Sequence, residues 1–281
     1  MRTAALADTG LNGRLRIVGH ALTIAGLTYV VLVWIGVAPY APPVTDVAGP
    51  MGDSYGYWNA WEGGLYDIPW LTNGAYVYSP AFAQITWPLS LLPWPVWAIS
   101  WTLTSIGLLF WMRVPYMIAF PPVLDDLLRG NVHIFMAAAI VIGMRYSISW
   151  AFMFLTKVTP GIGVLWYAAR REWRAFGFAV GGTALIVAVS FVIAPDLWRD
   201  WIDLLVTNAG ASSGVQVIPV PLAVRLVIAA IIIVFAARTN RAWLLPVGVM
   251  LAMPNIWPST LAVLVACIPL ARGKPIAVKP I

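Results

Sequence analysis

The sequence predicts an all-α fold, a polytopic integral membrane protein forming one membrane domain over residues 1–281, and three observations lead there. Hydrophobic residues fill 61% of the 281 positions and charged residues only 10%, against about 25% charged in ordinary soluble domains. Long apolar stretches recur, beginning with an uninterrupted run at 17–38 that suffices for a transmembrane helix. The cations collect in short clusters at Arg14 and Arg16, 170–174, Arg238 and Arg241, and 272–279, which is the positive-inside pattern. The net charge of +6 is accounted for by these clusters, so membrane lipids are the expected partners and nucleic acid is not.

The elements follow in order. Run 17–38 has Arg14 and Arg16 before it and no small-residue cleavage pattern after it, so it reads as a retained first helix with a cytoplasmic N-terminus. From Ile17 to Met112 there is no Lys or Arg, while Asp46, Asp53, Glu62 and Asp67 give the loop 39–78 a charge of −4. That loop belongs outside, and its Trp58, Trp61, Tyr66 and Trp70 fit a segment lying at the membrane interface. Stretch 79–112 contains Pro88, Pro93 and Pro95 and is too long for one straight crossing.

Segment 113–145 has two short apolar arms around a polar knot of Asp125, Asp126, Arg129, Gly130, Asn131 and His133. If 79–112 crosses once, this V has an outward apex; if twice, its knot is cytoplasmic. Segment 146–169 repeats the pattern around Lys157, followed by Pro160-Gly161. Twelve residues on each side of Lys157 make about 18 Å of helix, short of a hydrocarbon core of roughly 30 Å. A Lys at the centre of a spanning helix costs roughly 2.5 to 3.5 kcal/mol, so two half-helices meeting at a break that lines a cavity are the economical reading. One tilted helix with a snorkelling or paired Lys157 is the alternative.

Run 175–194 is a regular span. It leads to an outer segment, 195–217, whose Trp198 and Trp201 beside Leu204 and Leu205 indicate an amphipathic surface helix. Residues 219–236 cross back, 242–270 hold two short passes around Pro254 and Pro258, and 271–281 form a cytoplasmic tail. The single cysteine, Cys267, allows no disulfide framework. The expected architecture is a helical bundle with short broken helices and an outer loop after the first helix.

Candidate chemistry sits at the breaks. Asp53 lies among aromatic residues in the outer loop, where partial desolvation suits a general base; a helix N-cap is its structural alternative. Arg129, Lys157 and Arg225 are cations near the outer ends of membrane segments and together suit a phosphate, or pair with Asp125, Asp126 or the acids of 196–203. His133 either donates to an anion or satisfies a backbone carbonyl. No His, Cys and carboxylate set has metal-ligand spacing, no glycine-rich phosphate loop follows a strand, and no serine stands in a nucleophile elbow. No metal or cofactor is expected.

In order along the chain come the acidic loop with Asp53 and Tyr57, Tyr78-Ser79-Pro80 entering an apolar run, Gly130-Asn131-Val132-His133, and Lys157-Val158-Thr159-Pro160 before Arg170, Arg171 and Arg174. This ordered set, spanning about 45–240, resembles glycosyltransferase family 87, whose members are membrane enzymes of the GT-C fold. The resemblance implies a bacterial plasma-membrane transferase that moves a sugar, commonly mannose, from a polyprenyl-phosphate carrier to a lipid or glycan acceptor at the outer face. Asp53 matches the catalytic base of an inverting displacement, with Asp46 as fallback. Lys157, Arg129, His133 and Arg225 are the donor-phosphate candidates, and Tyr57, Trp58, Tyr78 and Asn131 the acceptor or sugar contacts. The sequence departs from the family in being short and in reading Met253-Pro254-Asn255-Ile256-Trp257-Pro258 where relatives carry a nearby histidine; none follows His133. That departure implies a phosphate held differently, or a reduced member whose activity is altered or lost. Broken helices with a buried Lys are also used by transporters and flippases, and a non-catalytic membrane subunit presenting the aromatic loop is the third reading.

Overall fold

The computed structural model describes residues 2–39, 51–70, 72, 74–208 and 216–272. It is helical throughout, with no strand among the described residues: α1 (Arg2–Trp34), α2 (Gly52–Asn59), α3 (Pro80–Ser90), α4 (Trp94–Trp111), α5 (Pro121–Arg129), α6 (His133–Gly143), α7 (Ala151–Thr156), α8 (Leu165–Ala169), α9 (Trp173–Ile193), α10 (Pro195–Thr207), α11 (Leu222–Arg238), α12 (Leu245–Leu251) and α13 (Cys267–Arg272). Short 3-10 turns at Pro115–Ala119, Ser147–Trp150, Thr159–Val164, Ala242–Leu244 and Pro258–Ala266 link or extend them. Among the described residues Leu15–Trp34 and Trp173–Ile193 are long and apolar enough to cross a membrane, and α5 with α6 form a third such unit bent by 109°. Together with the apolar composition, this is an all-α membrane protein.

The first helix stops four residues before the end of the apolar run at 38. Gly36 takes a left-handed φ of 73°, and the amides of Gly36 and Val37 turn back onto the carbonyls of Val33 and Leu32, the usual helix stop. The 79–112 stretch is two helices that part at Pro93, the N-cap of α4. At 11 residues α3 is only about 16 Å long.

Three hairpins follow with the same plan, α5–α6, α7–α8 and α12–α13 with their 3-10 extensions. Each breaks where the sequence carries a polar or proline-rich knot, at 130–132, at Lys157 and at 252–257. Helix α6 forms the centre, with Ile134, Met136, Ala137 and Ile140 fully buried, packed against the Pro258–Ala266 turn. At the other end Arg170 donates to the Ala237 carbonyl and Asn240 Oδ1, and Arg272 to the Arg113 carbonyl, tying the basic turns together.

The loop after α1 folds into the bundle rather than only lying along its edge. Tyr57, Tyr76 and Tyr78 are buried, Trp58 Nε1 donates to the Leu92 carbonyl at 2.7 Å, and Tyr66 Oη to the Tyr78 carbonyl at 2.8 Å. Helix α10 is amphipathic as its pattern predicts: Trp198 and Trp201 are buried, and Asp196, Arg199, Asp200 and Asp203 exposed.

Candidate active site

Three breaks and the loop helix meet around one cavity of about 310 Å³. Helix α2 contributes Asp53, the α5–α6 break Asn131 and His133, and the α7–α8 break Thr156, Lys157, Val158 and Thr159. The 252–257 break adds Pro254, Asn255 and Trp257, and α10 closes the side with Trp201 and Leu205.

Backbone geometry brings Asp53 there. Met51, with φ 66°, starts α2, and its amide donates to the Leu128 carbonyl at 2.6 Å, which pins α2 to the end of α5. Gly130 then turns the chain with φ 67°. A Cβ on Gly130 would sit 2.7 Å from Met51 Cε and Ser54 Cβ, so only glycine allows both the turn and this approach. Asn131, the next residue, donates from Nδ2 to Asp53 Oδ2 at 2.6 Å and accepts the Val132 amide on Oδ1 at 2.7 Å. Asp53 lies in the first turn of α2 and does not cap it, since no side chain caps this helix. Burial pushes its carboxyl above the usual carboxylate range; Arg129, the Asn131 amide and Lys157 oppose that shift.

Behind the cavity lies a chain of polar contacts. Lys157 Nζ is 2.7 Å from His133 Nε2, His133 Nδ1 is 2.8 Å from Asp126 Oδ1, and Asp126 Oδ2 accepts the Ile134 amide at 3.0 Å. The sequence pattern offered Asp125 and Asp126 alike as partners for the cations. Arg129 contacts Asp125 through Nε at 3.0 Å and stands behind the cavity wall, near enough to act on Asp53 through its charge.

Of the other residues singled out in the sequence, Tyr78 lines the cavity. Tyr57 lines a small adjoining hollow that shares Asp53 and Tyr78 with it, and its hydroxyl meets that of Tyr78 at 3.0 Å. Trp58 does not line the cavity; its ring packs on Tyr55 and Trp94. Arg225 does not line it either. The residue is 2% exposed, and its guanidinium donates to the carbonyls of Val220, Leu251, Met253 and Pro254 at 2.6 to 3.0 Å. The last three lie where α12 ends without a following helix to satisfy them, so Arg225 holds the 252–257 break in shape. Asp46 lies outside the described residues.

Sequence reasoning did not anticipate Trp70, Thr159 and Trp257 as site residues. Trp70 Nε1, Trp257 Nε1 and Thr159 Oγ1 have no hydrogen-bond partner among the described residues, and all three residues line the cavity. The three atoms are themselves buried, so Trp70 and Trp257 line the cavity with the apolar part of their rings. Among the described residues no group of three or more His, Cys, Asp or Glu side chains is disposed to hold a metal ion.

The model of glycosyltransferase family 87 matches residues 76–277, most of the chain and every hairpin of the site. The chain belongs to glycosyltransferase family 87. No curated protein and no solved structure matches it. This family 87 protein is therefore a membrane glycosyltransferase, and its donor, acceptor and stereochemistry have to be argued from the cavity.

Proposed function

We propose that this family 87 protein transfers a sugar, mannose in the first instance, from a polyprenyl-phosphate donor to a lipid or glycan hydroxyl at the outer face of a bacterial plasma membrane, with inversion and with Asp53 as base. The observation that carries this reading is one cavity holding a half-buried carboxylate from the first loop and an ammonium from the α7–α8 break, Asp53 and Lys157.

The chemistry needs both groups. An acceptor hydroxyl attacks the anomeric carbon while the bond from that carbon to the phosphate oxygen breaks, and Asp53 receives the hydroxyl proton. The carbon changes its bonded oxygen from one face to the other in a single displacement, so the product is inverted. The polyprenyl phosphate departs with added negative charge. Lys157 faces that charge in a cavity lined mainly by apolar surface, which strengthens electrostatic stabilisation. The rings of Trp70 and Trp257 offer the sugar and the carrier an apolar surface beside the Lys157 ammonium. The mainly apolar wall of Val77, Val158, Trp201 and Leu205 suits the first isoprene units of the carrier. The basic turns at the opposite end of the hairpins fit a cytoplasmic side, which puts the cavity and the loop 39–78 outside.

The test is transfer of labelled mannose from polyprenyl-phosphate-mannose in membranes carrying the wild type or Asp53→Asn, with products resolved by mass spectrometry. A product lost in the variant at equal protein level supports the reading. An active wild type matched by Asp53→Asn moves the base to Asp46. No product from any of several polyprenyl-phosphate sugars removes the donor class.

A further inference from the structure

We infer that Asp126 is a positioning residue for the reaction proposed above. It fixes the proton of His133 on Nδ1, leaving Nε2 as the acceptor that holds the Lys157 ammonium on the cavity wall. The proposal rests on that reaction for its activity arm, and on the geometry alone for its spectroscopic arm.

Asp126 is 1% exposed and does not line the cavity, so it reaches the site only through other groups. Both its oxygens are in use. Oδ1 is 2.8 Å from His133 Nδ1 and Oδ2 accepts the Ile134 amide at 3.0 Å. This amide belongs to the first turn of α6, where helical N–H groups have no partner within the helix. A carboxylate in that position only accepts, so the His133 nitrogen facing it carries the proton. A neutral imidazole protonated on one nitrogen offers a lone pair on the other. That other nitrogen, Nε2, is 2.7 Å from Lys157 Nζ, and an ammonium only donates.

With Asp126 ionised and Lys157 an ammonium, the three groups fit in one proton arrangement. Moving the proton to Nε2 would set an N–H against the ammonium and a lone pair against the carboxylate. Protonating both nitrogens would keep the first of these clashes. With both nitrogens committed, His133 holds a lysine and does not itself donate to a phosphate. What it supplies is restraint, because a lysine stem is long and flexible, and one anchored N–H leaves the others to face the cavity.

The backbone builds this contact. Asp126 and His133 sit on the two arms of the bent pair α5–α6, and the Gly130 turn folds one arm's carboxylate onto the next arm's ring. Lys157 comes from a different hairpin. The relay thus fixes the α7–α8 break against the α5–α6 break at the point where the leaving phosphate is proposed to sit.

The chain contains two histidines, His20 and His133, and His20 is exposed on α1. A His20→Gln protein labelled with 15N-histidine and reconstituted in lipid therefore gives the nitrogen spectrum of His133 alone. The expected spectrum at neutral pH has a protonated Nδ1 and an unprotonated Nε2. In Asp126→Asn the Ile134 amide keeps the side-chain oxygen and the NH₂ faces Nδ1, so the proton moves to Nε2 and the contact with the Lys157 ammonium is lost. Transfer by Asp126→Asn should fall about 10- to 100-fold, the range for losing a partner behind a functional ligand. In a His133→Gln background the same substitution should change the rate less than about threefold, since the group it acts through is gone. Protonation of wild-type Nε2, alone or together with Nδ1, overturns the proposal without needing any folded variant. So does an Asp126→Asn protein that transfers at the wild-type rate. The expected wild-type spectrum in a protein that transfers no sugar would remove the reaction and leave the relay standing.

Discussion

Replacing Gly130 by alanine tests whether α2 is held against the α5–α6 break as the structure has it. The left-handed backbone at this position, φ 67° and ψ 35°, costs a non-glycine residue about 1 to 2 kcal/mol. The added methyl meets Met51 Cε and Ser54 Cβ at 2.7 Å and Ser54 Oγ at 2.8 Å. Met51 Cε is the end of a flexible chain, but Ser54 is fixed by the helix, so an overpacking cost of about 1 to 3 kcal/mol is added. The sum is about 2 to 5 kcal/mol, which lowers the unfolding midpoint by roughly 4 to 20 °C at 2 to 4 °C per kcal/mol. Tryptophan fluorescence on heating in detergent reads this. Gly107→Ala is the control, because that helical glycine of α4 has open space where a Cβ would go and alanine is the better helix former by about 1 kcal/mol. Any displacement of α2 also moves Asp53 away from Lys157, and about 1 Å of misplacement costs on the order of 100-fold in rate. Ser54→Gly made together with Gly130→Ala should recover part of the loss, with a coupling of about 0.5 to 3 kcal/mol. A Gly130→Ala protein that unfolds with Gly107→Ala and transfers at the wild-type rate would refute the juxtaposition.

Asp53→Asn should abolish transfer yet unfold no lower than wild type at pH 7. Burial raises the folded carboxyl above its ordinary value of 3.8, so the folded state binds the proton more tightly. Stability then falls as pH rises from that value through the raised one, and the amide removes this loss; a fall of several degrees in the variant would contradict it. The wild-type rate should have an acid limb above pH 4, measured as kcat/KM against pH. Lys157→Met should lower kcat about 10²- to 10³-fold at saturating donor, with Lys157→Arg recovering part of it; an unchanged kcat would remove the lysine from the leaving-group site. Arg225→Met should destabilise by about 3 to 5 kcal/mol through the carbonyls it leaves unpaired, and Arg225→Lys should not rescue it, because one ammonium does not reproduce the planar fork. Slower transfer with unchanged thermal unfolding would instead make Arg225 a ligand residue.

The hairpins were legible because each break pays for itself in an unusual residue: a lysine in an apolar stretch, a polar knot, a pair of prolines. Asp53 and Lys157 were legible for the same reason, as charges whose burial needs a purpose. What the sequence hid is who partners whom. Asp125 and Asp126 are adjacent and both within reach of Arg129 along α5, yet Asp125 contacts the arginine while Asp126 faces His133 across the turn. Only the 109° bend decides between them. Arg225 followed the same logic as Lys157 and met a different end, because the partners that satisfy it are main-chain carbonyls, which no residue type advertises. Trp58 and Trp257 are likewise alike in sequence; one donates its N–H to Leu92 and the ring of the other lines the cavity.

The breaks also explain how a polar site persists inside so apolar a chain. A helix that stops within the bundle leaves amides and carbonyls unpaired, and each of those groups is costly away from water. Here they satisfy one another across elements. The Met51 amide goes to the Leu128 carbonyl, the Ser79 amide and hydroxyl both go to the Leu155 carbonyl, Trp201 Nε1 goes to the Val77 carbonyl, and Arg225 gathers the end of α12. These cross-links join α2, α3, α7, α10 and α12 to their neighbours around the cavity that holds Asp53 and Lys157. The contacts that make the interrupted helices tolerable are therefore the same ones that set Asp53 against Lys157, so a substitution at any of them should alter stability and transfer together, whereas Asp53→Asn should separate the two.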